Sequence, residues 1–129
     1  MSFILVPTVG DDLQVNAWNW RPTLDLLLRE ALINEKLHDR MGAQSAAAEV
    51  DARTAQRFSE TIRLTLNEMK PGERILPDLT TTDQPKKNWS IKADTQSDEI
   101  DVNDVYSATY EWLVKFAEFC SRSGGFKVV

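Results

Sequence analysis

A chain of 129 residues, 42% hydrophobic and 27% charged, has the size and composition of one globular domain, and its single cysteine rules out an internal disulfide framework. The formal charge of −5 and a pI near 4.9 repel phosphate backbones, and Lys86-Lys87 is the one adjacent basic pair, so nucleic-acid binding is disfavoured. No signal-peptide pattern and no apolar run of about 18 residues is found, so no membrane span is expected and the expected address is the cytoplasm.

The elements follow in chain order. Ser2 to Thr8 is an apolar, β-branched run, and Val9-Gly10-Asp11-Asp12 supplies a turn before the alternating Leu13 to Trp18, which predicts a hairpin. If the second strand persists, Asn16, Trp18 and Trp20 share the face opposite Leu13, Val15 and Ala17. Pro22 fits the first turn of a helix, with Leu24, Leu27, Leu28, Ala31 and Leu32 as its buried stripe. Asn34 is a cap for a short helix from Glu35 to Met41, with Gly42 as a left-handed terminator. The small residues Ala43 to Glu49 suit a third strand.

Asp51 then caps a longer helix whose stripe is Ala55, Phe58, Ile62, Leu66 and Met69, ended by Lys70-Pro71-Gly72. Residues 71–100, rich in Thr, Asp, Lys and Pro, read either as a long functional loop or as a stretch with short strands, one around Trp89-Ser90-Ile91. From Asp101 to about Ser123 the pattern is helical, with Asp101 and Asp104 at its start and apolar residues on more than one stripe, the mark of a central helix. Phe126 to Val129 reads as a terminal strand joining the first two. The expected fold is therefore α+β in a single domain, 1–129, with three main helices and a short one on a small, mostly antiparallel sheet built from both termini.

Little of this carries chemistry. One His and one Cys are too few for a structural zinc site, and in the acidic group Asp98, Glu99, Asp101 and Asp104 the calcium-loop order fails because Tyr106 stands where glycine is required. His38, between Leu37 and Asp39, reads as a surface histidine, and Cys120, in a dense aromatic helix, as a small buried residue. No nucleophile elbow, phosphate loop or dinucleotide fingerprint is present, so no catalytic residue, metal or cofactor is expected. Tyr106, Tyr110 and Trp112 suit core packing.

The candidate binding surface is the corner Asn16, Trp18, Trp20 and Arg21. Two amphipathic indoles, an amide and a guanidinium there suit a groove, although tryptophan at a strand-to-helix junction is also good core material. The segment Val15 to Thr23, together with Tyr106-Ser107-Ala108, Trp112-Leu113, Phe116, Phe119-Cys120 and Gly124-Gly125-Phe126, resembles a group of small bacterial proteins of uncharacterised function. That resemblance implies a bacterial single-domain protein and carries over no activity, cofactor or catalytic residue.

Size and acidity point to a non-enzymatic protein-interaction module that neutralises or regulates a partner, or to self-association through the same corner. The alternative is a small-molecule-binding domain, with or without a weak hydrolytic activity, whose pocket lies between the long loop and the aromatic helix.

Overall fold

The computed structural model of the chain describes residues 2–43, 46–84 and 106–129. It opens with the hairpin of β1 (Ser2–Pro7) and β2 (Leu13–Asn16), in which Phe3 stands opposite Val15 and Leu5 opposite Leu13. Strand alternation sends Phe3, Leu5 and Val15 into the core and leaves Ile4, Val6 and Gln14 on the outer face.

β3 (Ala48–Asp51) begins later than the small-residue run suggests, and its last residue doubles as a helix cap. β7 (Gly125–Val128) fills the gap between β1 and β3, giving an antiparallel sheet in the order β2-β1-β7-β3. This close pairing requires Gly125: its φ is +100°, and a Cβ there would lie 2.8 Å from the Val50 carbonyl oxygen.

Among the described residues the helices are α1 (Ala17–Arg29), α2 (Glu35–Met41), α3 (Ala52–Asn67) and α4 (Tyr110–Arg122). The fold is α+β: among the described residues, three longer helices and a short one with a sheet built from the terminal strands and β3. Capping explains most boundaries. Asn34 and Asp51 accept from Leu37 N at 2.8 Å and Thr54 N at 2.7 Å, as their sequence positions predict. Gly42 follows α2 as expected, but with φ −89° it is right-handed.

Two helix starts differ from the sequence reading. α1 begins at Ala17, well before Pro22, because the Asn16 side chain accepts from Asn19 N at 2.9 Å and caps it. β2 therefore stops at Asn16, and the strand face that would align Asn16, Trp18 and Trp20 does not form. Pro22 inside α1 lacks the N–H that would reach the Trp18 carbonyl, and Ser107 N donates to that carbonyl instead at 3.0 Å. At its far end α1 closes through bonds from Leu32 N to Leu27 O and Ala31 N to Leu28 O, with Ala31 at φ 59°. Ala31 is thus an exposed terminator and not a member of the buried stripe.

α4 starts at Tyr110, not near Asp101, because the Thr109 hydroxyl accepts from Trp112 N at 3.1 Å and caps it there. Within the region read as a long loop, β4 (Arg74–Ile75) and β5 (Thr81–Thr82) form short strands. With β6 (Ala108–Thr109) they make a second antiparallel sheet, ordered β5-β4-β6. The expected strand at Trp89-Ser90-Ile91 and the acidic group from Asp98 to Asp104 lie outside the described residues.

Aromatic rings from α1, α4 and β7 meet in the core. Trp20 of α1 meets Phe116 edge-on at 5.6 Å between centroids, Phe116 stacks on Trp112 at 5.4 Å, and Phe119 meets Phe126 of β7 at 5.3 Å. These offset and edge-on geometries suit the ring quadrupole and add to the gain from burial. The two buried indoles are also satisfied: Trp20 Nε1 donates to Met41 O and Trp112 Nε1 to the Thr23 hydroxyl, both at 2.9 Å. Among the described residues no helix is long and apolar enough to cross a membrane.

Candidate functional site

The first turn of α1 places Trp18 and Arg21 three residues apart, on one helical face, and turns Trp20 the other way. Both outward side chains meet the ring of Tyr106. Trp18 lies 5.0 Å from it between centroids at an interplanar angle of 57°, and the Arg21 guanidinium carbon lies 5.2 Å from its centroid. Trp18 is 43% exposed. The result is a ledge of indole, phenol and guanidinium at the surface.

The ledge is held from below. Besides the Ser107 bond to the Trp18 carbonyl, Asn19 Oδ1 accepts from Thr109 N at 3.0 Å, which ties the first turn of α1 to the strand leading into α4. Asn16 serves the same turn as its cap, while Trp20 is 1% exposed and belongs to the core. Of the four corner residues, the structure brings Trp18 and Arg21 into one surface feature, uses Asn16 to position them, and separates Trp20 from them.

Beyond Arg21 the ledge borders a cleft of about 460 Å³, lined also by Pro22, Asp25, His38, Asp39 and Pro77. His38 Nε2 lies 2.8 Å from Asp25 Oδ1, which joins α2 to α1, and Nδ1 lies 3.7 Å from Asp39 Oδ1. Both ring nitrogens thus face carboxylates, and among the described residues no serine, threonine or cysteine lines the cleft. The arrangement can accept a polar group, but its described residues offer no nucleophile beside a base. His38 is half-buried and paired, which its position between Leu37 and Asp39 did not suggest.

Elsewhere the chemistry is quiet. Burial pushes the Cys120 thiol far above the usual thiol range, so it stays protonated and unreactive. Among the described residues no group of three His, Cys, Asp or Glu side chains is arranged to hold a metal ion.

Sequence reasoning missed two participants, Tyr106 and Asp25. Tyr106 read as a core aromatic because apolar residues follow it, and its contact with Trp18 is made across most of the chain. Asp25 meets His38 only because two helices fold together, and no local pattern announces that. In comparisons with known proteins, the chain matches no family model, no curated protein and no solved structure.

Proposed function

We propose that the chain is a non-enzymatic interaction module of the bacterial cytoplasm that regulates or neutralises a protein partner through the ledge of Trp18, Arg21 and Tyr106. The observation that carries this reading is the exposed Trp18 indole packed at a tilt against Tyr106, with Arg21 over the same ring. Tryptophan, tyrosine and arginine are enriched among the few residues that dominate binding energy at protein interfaces, and a ledge already fixed by backbone bonds loses little entropy on binding. The formal charge of −5 favours a basic partner and speeds its encounter.

A small polar ligand in the adjoining cleft is the second reading, favoured by the volume of about 460 Å³ and by Asp25, His38 and Arg21 on its walls.

The test places a photo-crosslinking residue at Asp39, exposed on the cleft wall beside Arg21 and Tyr106, or, as a control, at Leu64, which is 67% exposed on α3. Irradiation in the native host is expected to give one discrete protein adduct from position 39, lost in Trp18→Ala, and none from position 64. Failure to form an adduct at position 39, or an adduct that persists in Trp18→Ala, with the variants folded, would overturn the reading.

A further inference from the structure

The two outer strands of the four-stranded sheet end it differently. β3 carries Glu49 and Asp51, and Glu49 pairs with Lys127 at 3.3 Å, so added strands meet charge there. β2 reads Leu13-Gln14-Val15-Asn16, with no charge and no proline to discourage pairing. The register decides which of its backbone groups face outward. Ile4 exchanges bonds with Val129 on the β7 side, Ile4 N to Val129 O at 3.0 Å and Val129 N to Ile4 O at 2.9 Å. Phe3 and Leu5 therefore turn their groups toward β2, where Val15 and Leu13 answer them. Gln14, lying between, points its N–H and C=O away from the sheet, on a side where no described strand lies.

Beside this edge runs a groove of about 280 Å³, bounded by β2, by Asn19 and Thr109, and by Glu111 and Lys115 of α4. The two charges stand one helical turn apart, and both are exposed.

We infer that the chain pairs with a second copy of itself through antiparallel β2 strands, with the two-fold axis beside Gln14. Gln14 N–H donates to the carbonyl of the partner subunit's Gln14 and receives the reciprocal bond, while Leu13 stands opposite the partner subunit's Val15. The same axis reverses one groove wall against the other, so Glu111 meets the partner subunit's Lys115 on both sides. A surface whose charges answer themselves under rotation is what an isologous interface requires.

The experiment is sedimentation equilibrium of the full chain from low-micromolar to near-millimolar concentration. The wild-type chain is expected to form a dimer at the upper end. Gln14→Pro removes the outward N–H while leaving the bonds between β1 and β2 in place, and Leu13 before it is already extended, so the fold is expected to persist. The dimer should weaken about tenfold or more, a loss of two backbone bonds.

Lys115→Glu, on an exposed helical position, sets like charges across the axis and should weaken the dimer without touching β2. Under oxidation, Gln14→Cys should give a disulfide-linked dimer, because a bonded antiparallel pair holds its Cα atoms about 5.5 Å apart. Val9→Cys, exposed on the turn, should not. A wild-type chain that stays monomeric at the highest concentration, or a dimer indifferent to both Gln14→Pro and Lys115→Glu, would overturn the inference. Trp18→Ala is expected to remain dimeric, which keeps this result separate from that of the ledge.

Discussion

Trp18 and Trp20 stand on the same turn of α1, yet Trp20 is 1% exposed and Trp18 43%. Trp20 is surrounded by Phe3, Trp112 and Phe116, and its indole N–H is used by Met41. Among the described residues Trp18 has one ring neighbour, Tyr106, and holds its place through its backbone carbonyl. The difference teaches that residue type does not separate core from binding surface here. Helical phase does, and that phase is set by the Asn16 cap, which starts the helix before Trp18 instead of at Pro22.

The sharpest way to break the comparison is to truncate each ring. Trp20→Ala should cost about 3–5 kcal/mol, from lost burial, a cavity and a widowed Met41 carbonyl, measured by urea unfolding. Trp18→Ala should cost under about 1 kcal/mol in the same measurement and still abolish partner capture. Equal losses of stability would place both indoles in the core and remove the ledge.

Thr23 offers an intermediate test, since its hydroxyl accepts from Trp112 Nε1 at 2.9 Å and donates to Asn19 O at 2.8 Å. Thr23→Val keeps the shape and strands the buried indole N–H, so a loss of about 1–3 kcal/mol is expected. The ledge should survive, as judged by undiminished capture from position 39. At the far end of α1, Ala31 holds φ 59°, a conformation that glycine adopts without strain. Ala31→Gly should raise stability by about 1 kcal/mol in urea without altering either tryptophan.

The smallest effect compares the two caps. Bonds from Thr54 hold the Asp51 carboxyl below the usual carboxylate range, whereas the Asn16 cap of α1 does not titrate. A lowered value in the folded state means that the cap's contribution is present above the unfolded value, about 3.9, and is lost as pH falls through the folded one. Asp51→Asn retains a cap and should flatten the acid limb of the stability profile below about pH 4, leaving neutral stability nearly unchanged. An acid limb identical to wild type would remove Asp51 from that account.

What was legible in the sequence is what short-range physics decides. Asn34 and Asp51 satisfy N–H groups three residues away, so their helices could be placed from local pattern alone. The terminal strands were legible because alternation and β-branching mark them, and antiparallel pairing of β1 with β7 follows once both must bury one face. Pro22 misled because its effect depends on a distant residue: inside a helix it is tolerable where another donor takes the freed carbonyl, and that donor is Ser107. The ledge was half legible for the same reason. Trp18 and Arg21 are visible as a pair, but Tyr106 reaches them through contacts such as Thr109 N to Asn19 Oδ1, which span a sequence separation of 90. The His38 and Asp25 pair depends on how α2 returns against α1, which no helical periodicity encodes.

The division of labour along α1 is tested most directly by iodide quenching of tryptophan fluorescence in the wild-type chain and in Trp18→Phe and Trp20→Phe, each verified as folded. Trp18→Phe is expected to remove a large share of the quenchable emission and Trp20→Phe to remove only protected emission. A quenchable fraction that survives Trp18→Phe unchanged, or that falls with Trp20→Phe, would contradict that division.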